Sequence, residues 1–241
     1  MLLAANCVVH TLAGDCFVED LLQRLSPPFG YAWDGERVTV NRFMISESHR
    51  GQPVELELDD DARIVCDQES KVLTLGAKKV SPLDLDSGSS LLPLYFKLAR
   101  GDILYREPGN WFKGGKVTSD KKRWRKVSRM VAEWSLGRRL EEGEQVRILN
   151  GDKSNCRPDN VVVDYQRQKR PTKVKSFADP IFEAQKLLEE MKNDLRLGKK
   201  PPRRHGNHKL IRSSVGVSRD LFSIKTFDSG NLAISGIFIS E

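Results

Sequence analysis

Short β-like segments lie at both ends of this 241-residue chain, and they limit its fold more than any other feature. Two of those near the amino terminus alternate strictly between apolar and polar residues. Successive side chains of a strand point to opposite faces, so such alternation is typical of strands buried on one face. Near the amino terminus 37–40 and Val54–Leu58 alternate strictly, and Arg63–Cys66 and 71–75 are two more short β segments. Segments 221–227 and 232–239 are further short β-like runs near the carboxy terminus. The sequence therefore predicts short strands at both ends, with few helix signals in about the first hundred residues.

The middle of the chain differs, because aromatic residues are set among many charges from position 94 onward. A helix is predicted over Val127–Leu136, ended by Gly137, and a strand over 145–149 is followed by a turn at 150–152. A second helix is predicted from its N-cap Asp179 to Gly198, and a basic linker over 199–204 follows it. The predicted fold class is therefore α+β.

Charge is distributed unevenly along the chain. Residues 1–100 contain 10 Lys/Arg and 15 Asp/Glu, whereas residues 101–241 contain 30 Lys/Arg and 18 Asp/Glu. A basic segment joined to an acidic one is typical of a protein in which one part meets phosphates and another does not. Solvated surface charge is the alternative interpretation of the same numbers.

The cysteines and the first residues exclude several classes of protein. Cys7, Cys16, Cys66 and Cys156 stand singly, with no Cys-x-x-Cys pair of the kind that zinc sites use. We therefore expect reduced cysteines, no metal and no cofactor. The apolar residues 1–9 lack a preceding basic segment and soon meet charged residues, so we expect neither a signal peptide nor a membrane span. The expected location is the cytoplasm.

Residues 144–163 resemble the core of HNH homing endonucleases. Their Asn-Gly-Asp turn is followed by Arg-Pro-Asp-Asn, as in the family pattern His-His-x-Asn-Gly-Asp-x-x-Asp-Asn-Arg-Pro-x-Asn-Leu. Upstream, segments 127–133 and 136–140 are similar to the family's His-Arg-Leu-Val-Ala-Glu and Leu-Gly-Arg-x-Leu. The resemblance implies a ββα-metal module that contacts DNA.

The flanking segments resemble the two halves of a Hint domain, the fold of inteins and hedgehog autoprocessing domains. Segment 10–18 is similar to the opening block, 63–74 to the Thr-x-x-His block, and 91–95 to the end of the amino-terminal half. Segments 207–211 and 230–241 are similar to the carboxy-terminal blocks. An HNH insert between Hint halves is the arrangement of homing inteins. An unrelated β protein with a central basic insert is the alternative.

The resemblance implies a discontinuous all-β Hint-like body with an inserted HNH-like module and a helix. The expected parts are a Hint-like half at 1–95, a basic HNH-like insert at 96–178, a helix and linker at 179–206, and the second Hint-like half at 207–241. Because neither half can bury the Hint core alone, strands within 1–95 are expected to pair with strands within 207–241.

The residues that the resemblance assigns to protein splicing are replaced. Splicing needs a Cys or Ser nucleophile, a Thr and a His that activate the first peptide bond, and a closing His-Asn pair. The matching positions hold Thr11 for the nucleophile, Asp67 and Ser70 for Thr and His, Gly230 for a further His, and Ser240 and Glu241 for the closing pair. Neither Asp67 nor Ser70 protonates a leaving amide at pH 7 as an imidazole does, so we expect no splicing.

The nuclease positions implied by the resemblance are replaced as well. HNH enzymes use a histidine as general base and a second His or Asp, with an Asn, to hold a divalent cation. Ser128, Arg147 and Ile148 occupy the histidine positions, and Asn160 remains. The permanent cation of Arg147 is expected to repel Mg²⁺ while still attracting phosphate. Rescue of the site by His205 or His208 is the alternative.

Binding to nucleic acid does not require these catalytic residues. Lysines and arginines surround Trp124 and follow the HNH-like motif, and they can neutralise phosphates. Trp124 itself either anchors its loop in the core or stacks on a base. The candidate nucleic-acid-binding residues are Lys113, Lys116, Lys121, Lys122, Arg123, Trp124, Arg125, Lys126, Arg129, Arg147, Arg167, Lys169, Arg170, Lys173 and Lys175.

The sequence thus predicts a catalytically inactive relic of an intein with an HNH insert, with DNA as its partner. One alternative is a structural or regulatory subunit that binds a protein partner in a larger assembly, such as that of a phage. Another is an HNH nickase that retains activity through a rearranged metal site.

Overall fold

A computed structural model describes residues 1–24, 26–106, 124–165, 208–227 and 230–240. The helix predicted from Asp179 to Gly198 and the basic linker after it lie outside these residues. Of the described helices, none combines the length and the apolar character that crossing a membrane requires.

Strands account for most of the described secondary structure. Helix α1 spans Val18–Leu21, helix α2 spans Val127–Leu136, and short 3-10 turns lie at Pro82–Asp84 and Pro158–Asn160. The strands are β1 (Leu2–Ala4), β2 (Val8–Thr11), β3 (Gly14–Phe17), β4 (Phe29–Trp33), β5 (Val38–Gly51), β6 (Val54–Leu58), β7 (Arg63–Cys66), β8 (Lys71–Leu73), β9 (Lys79–Val80), β10 (Ser90–Leu91), β11 (Tyr95–Ala99), β12 (Asp102–Arg106), β13 (Trp124–Lys126), β14 (Glu144–Ile148), β15 (Val161–Tyr165), β16 (His208–Val215), β17 (Arg219–Thr226), β18 (Asn231–Ile234) and β19 (Ile237–Ser240).

One large antiparallel sheet interleaves strands from the two ends of the chain. Its order is β10-β16-β6-β7-β1-β17-β5-β4-β2-β18-β19-β8-β9, and β3 pairs with β2. Strand β17 pairs with β5 from Arg219↔Gly51 to Thr226↔Phe43, and β16 pairs with β6 from Leu210↔Leu58 to Val215↔Val54. The expected pairing between residues 1–95 and 207–241 is therefore confirmed, and so is the α+β class with a β-rich body.

Two further sheets are formed by the described residues in the middle of the chain. Strands β11, β12 and β13 form a three-stranded sheet, and β14 and β15 form a hairpin. Helix α2 lies between these two sheets in sequence and ends at Gly137, whose φ of 65° gives the left-handed cap expected there.

Within the described ranges, two hydrophobic clusters fill the interior. The first lies within the large sheet and includes Leu3, Phe43, Leu56 and Ile224. The second joins side chains of the large sheet, such as Tyr31 and Phe238, to Val127, Met130 and Val131 of α2. The segment around α2 is therefore packed against the body through a shared core.

The β character predicted for segment 232–239 is confirmed, and the structure adds a turn that the sequence analysis did not predict. The segment is divided into β18 and β19 by a tight turn at Ser235 and Gly236, with φ values of 46° and 90°. Two consecutive positive φ angles are typical of the turns that join two-residue hairpins, and Gly236 adopts its angle without a steric penalty.

Candidate nucleic-acid interface

The three-stranded sheet presents basic and aromatic side chains on one face. The register pairs Lys97 with Leu104 and Leu104 with Lys126, and it pairs Arg106 with Trp124. Since paired residues share a face and alternate residues return to it, these side chains lie on the same side of the sheet. We call Lys97, Arg106, Trp124 and Lys126 the basic face.

The cations of the basic face already have local contacts. The Nζ atom of Lys97 lies 4.1 Å from the centroid of the Trp124 ring, a cation–π distance. The Nζ atom of Lys126 lies 2.9 Å from Oδ2 of Asp102. Lys97 and Lys126 are exposed and Trp124 is half-buried, so the ring and both amines remain accessible from solvent.

The opposite side of this sheet fixes it to the body. The Phe96 ring lies 4.4 Å from the Tyr31 ring, measured between centroids, and Tyr105 is buried in the second cluster. The basic face is therefore held by packed side chains on rigid strands.

Helix α2 is attached to the body by a buried carboxylate as well as by apolar contacts. Glu133 Oε2 accepts a hydrogen bond from Arg37 Nη1 of the body at 3.0 Å, and Oε1 accepts one from Arg129 Nε at 3.1 Å. Ser128, at one of the histidine positions of the HNH pattern, is buried in the first turn of the same helix.

Asn160 closes the loop between β14 and β15. Its Oδ1 accepts a hydrogen bond from the backbone amide of Asn150 at 3.0 Å, and its Nδ2 donates to Asn150 Oδ1 at 3.0 Å and to the Asn155 carbonyl at 2.7 Å. The buried side-chain amide is thus engaged within the protein through both of its polar atoms.

The other two nuclease positions lie on opposite sides of β14. Ile148 packs with Val146 and Val163 against the second cluster. Arg147 is exposed, and its Nε lies 2.6 Å from Oδ2 of Asp164, which raises the pKa of its guanidinium. Within the described residues 124–165, no three metal-binding side chains lie together.

A second ion pair closes the start of the hairpin. The Arg138 guanidinium binds Glu144 through Nη1–Oε2 at 2.8 Å and Nη2–Oε1 at 2.7 Å. These hydrogen bonds, and one from the backbone amide of Glu141, lower the pKa of Glu144 to about 2.

Charge in the described segment is close to balanced. Residues 124–165 contain 8 Lys/Arg and 7 Asp/Glu. Most of the excess positive charge of residues 101–241 therefore belongs to residues outside 124–165. Five of the candidate nucleic-acid-binding residues are described, namely Trp124, Arg125, Lys126, Arg129 and Arg147. The others lie outside the described residues, namely Lys113, Lys116, Lys121, Lys122, Arg123, Arg167, Lys169, Arg170, Lys173 and Lys175.

The sequence prediction missed Lys97 and Arg106. The predicted basic cluster begins at Lys113, and a single lysine within the otherwise apolar segment Tyr95–Ala99 does not indicate that it belongs to the same surface. The sequence did not predict the pairing of β11, β12 and β13, which brings Lys97 and Arg106 beside Trp124.

The candidate splicing positions occupy two places. Asp67 Oδ1 accepts a hydrogen bond from the Leu2 amide at 2.9 Å, and the Ser70 hydroxyl donates to the Asp67 carboxylate. Buried Ser240 pairs with Lys71, next to Ser70, across β19 and β8. Asp67 and Ser70 thus lie beside the first residues of the chain in space.

Thr11, the predicted nucleophile position, has its hydrogen bonds in a different element. It ends β2, and its Oγ1 donates to the Gly14 carbonyl at 2.5 Å across the β2–β3 turn. Gly230 precedes β18 with a φ of 64°, and Glu241 lies outside the described residues. The resemblance to splicing proteins assigns Thr11 and Asp67 to one reaction, but the residue hydrogen-bonded to Asp67 is Leu2.

Comparison with known proteins gives one family and several solved structures. Residues 125–164 match the family described as HNH endonuclease. No curated protein matches the chain in sequence. Among solved structures, a DnaB intein from Synechocystis sp. PCC 6803 is similar at 6% identity and a TM-score of 0.44, covering 99% of this chain and 96% of that one. A gp41-1 intein is similar at 9% identity and a TM-score of 0.41, covering 100% and 98%. This chain thus carries an HNH-endonuclease-like segment set against a β body that is built from both of its ends.

Proposed function

We propose that this chain is an intein- and HNH-related protein that binds nucleic acid without cleaving it. The observation that carries the proposal is the basic face, which immediately precedes and enters the HNH-like segment. Two exposed lysines, an arginine and a half-buried tryptophan share one side of a rigid sheet there.

The chemistry of this face suits a phosphate backbone with bases nearby. Lysine and arginine neutralise phosphates and release counterions, and a tryptophan ring can stack on an unpaired base. The ion pair of Lys126 with Asp102 joins an amine whose side chain is 55% exposed to a carboxylate whose side chain is 16% exposed. The Lys126 amine has three N–H donors, so a phosphate can bind it from the solvent side while Asp102 keeps its contact.

The absence of cleavage is supported by the side chains at the nuclease positions. Ser128 is buried, Ile148 faces the core, and Arg147 pairs with Asp164, so none of them supplies a general base. Asn160 uses its side chain to hold the loop.

The test is fluorescence anisotropy of labelled duplex and single-stranded DNA over a series of salt concentrations. If about five phosphates are neutralised, the slope of log affinity against log salt on duplex DNA is roughly −4 to −5. Lys97→Ala with Lys126→Ala should flatten this slope by about 2 units. Lys121→Ala, Lys122→Ala and Arg123→Ala together should flatten it by about 2 to 3 units. Trp124→Ala should weaken single-strand binding by roughly 5- to 150-fold if the ring stacks on one base.

The matched control is Lys209→Ala with Lys225→Ala, two exposed lysines on strands of the large sheet. This pair should leave the slope unchanged. If the unaltered protein binds no DNA even at low salt, the proposal fails. A protein that stays bound in a pull-down after nuclease treatment would then support the alternative function of binding a protein partner. Mg²⁺- or Mn²⁺-dependent cleavage of supercoiled plasmid by the purified protein would contradict the second half of the proposal.

A further inference from the structure

Asp59, Asp60 and His208 meet at a junction between the two ends of the chain. The aspartates occupy the turn between β6 and β7, and His208 is the first residue of β16. The backbone holds this junction, because the Asp59 amide donates to the Lys209 carbonyl at 3.0 Å and Leu91 pairs with His208.

The distances between the three side chains fit a shared cation better than a hydrogen bond. His208 Nδ1 lies 3.5 Å from Asp59 Oδ1 and 3.5 Å from Asp60 Oδ2. An N–H···O hydrogen bond is usually 2.7–3.2 Å long. Two ligands of a tetrahedral zinc with bonds of about 2.0–2.1 Å are roughly 3.3–3.4 Å apart. All three candidate ligand atoms lie within 4.8 Å of one another.

The ring of His208 is fixed and aimed at the carboxylates. Only 8% of the residue is exposed, and its ring lies 5.5 Å from the Tyr95 ring. On the other side the ring packs so closely against Gly236 that an added Cβ would lie 2.7 Å from Nε2. Its Nδ1 faces two carboxylate oxygens at 3.5 Å each, and one metal ion between them would be bound by all three atoms.

One of the carboxylates is also oriented in advance. Asp60 Oδ1 accepts a hydrogen bond from the Ala62 amide at 3.1 Å, and this leaves Oδ2 directed at His208. Fixing a ligating group through its second atom is how metal sites commonly hold their ligands.

We propose that Asp59, Asp60 and His208 bind one divalent transition metal ion, with Zn²⁺ as the preferred ion. One imidazole nitrogen and two carboxylate oxygens suit zinc, and three protein ligands leave a fourth position for water. Mg²⁺ is disfavoured because it prefers oxygen ligands alone. Bound metal would fasten the start of β16 to the β6–β7 turn and so stabilise the pairing of the two chain ends.

The experiment uses the full chain without an affinity tag, first freed of metal by EDTA and dialysis. Titration with ZnCl₂ should show one ion per chain by calorimetry, and Co²⁺ should give the visible absorption of a tetrahedral site. At a free Zn²⁺ concentration of about 100 times Kd, Tm should rise by roughly 5–10 °C. His208→Gln, and Asp60→Asn, which keeps the Oδ1 acceptor for Ala62, should each weaken binding at least 10-fold.

The control variants remove the same chemical groups elsewhere on the surface. They are His49→Gln on β5, and Asp84→Asn with Asp86→Asn, all at exposed positions. These variants should bind Zn²⁺ as the unaltered protein does. Failure of the unaltered protein to bind Zn²⁺, or equal binding by His208→Gln, would overturn the proposal. So would a loss of stability in Asp60→Asn that is the same with EDTA as with Zn²⁺, since that result shows that the contact between Asp60 and His208 acts without a metal ion.

Discussion

The side-chain amide of Asn160 donates two hydrogen bonds and accepts one, all within the loop between β14 and β15. The residue occupies the one retained ligand position of the HNH pattern, yet its observed contacts are those of a loop-closing residue. A buried amide in that role contributes to folding whether or not a metal ever binds.

We therefore expect Asn160→Ala to lower the free energy of unfolding by roughly 1–3 kcal/mol, because the Asn150 amide loses its acceptor. Urea denaturation followed by tryptophan fluorescence measures this change. Asn155→Ala is the control, since the Asn155 side chain accepts a single long hydrogen bond of 3.4 Å from Arg157. If both variants are equally stable, the structural role of Asn160 is contradicted.

The sequence identifies which residues stand at the candidate site, but it does not predict which side chains they contact. The sequence shows that Arg147 stands at a histidine position, whereas its ion pair with Asp164 depends on the register of β14 and β15. In the same way, Asp60 and His208 are separated by most of the chain, so no local spacing indicates a metal site. Only the pairing of β16 with β6 brings them together.

The hairpin of β18 and β19 shows why an apolar run is ambiguous at the level of elements. All eight residues of its two strands are buried, so no alternation marks where one strand ends. The turn depends on Gly236, whose amide donates to His10 Nε2 at 2.7 Å and whose Cα faces His208.

We expect Gly236→Ala to destabilise the protein more than Gly88→Ala. The two glycines have almost equal φ values, 90° and 88°, so both substitutions cost about 1 kcal/mol or more in backbone strain. A Cβ at Gly88 meets nothing within 4 Å, whereas a Cβ at Gly236 meets His208. Thermal denaturation of both variants measures the difference. Equal values of Tm would show that the His208 ring moves aside freely.

Other elements followed directly from local patterns. Val54–Leu58, Arg63–Cys66 and Val127–Leu136 have the predicted bounds, because strand alternation, short β-rich composition and a glycine cap are each encoded within a few residues. Strand β5 continues to Gly51, well beyond the predicted segment 37–40, because it pairs with β17 from the far end of the chain. When a distant strand determines how far a strand extends, the local sequence does not predict its length.

At the scale of the whole molecule, the antiparallel pairing of the two chain ends was predictable from the Hint-like blocks. The shared core between α2 and the body was not. It depends on apolar contacts of Val127, Met130 and Val131, and on the ion pair between Glu133 and Arg37. The boundaries assigned to the insert at 96–178 stay a prediction.

The shared core predicts that α2 and the body unfold together. Val131 is fully buried in the cluster that also contains Phe238. Val131→Ala should therefore lower the stability of the whole protein by roughly 1–3 kcal/mol. Val217→Ala removes the same atoms from a residue that is 80% exposed and should change stability by less than about 0.5 kcal/mol. Hydrogen exchange under increasing urea measures α2 and β5 separately. If Val131→Ala lowers protection in α2 alone and leaves β5 unchanged, the segment folds independently, and the two parts do not share one cooperative core.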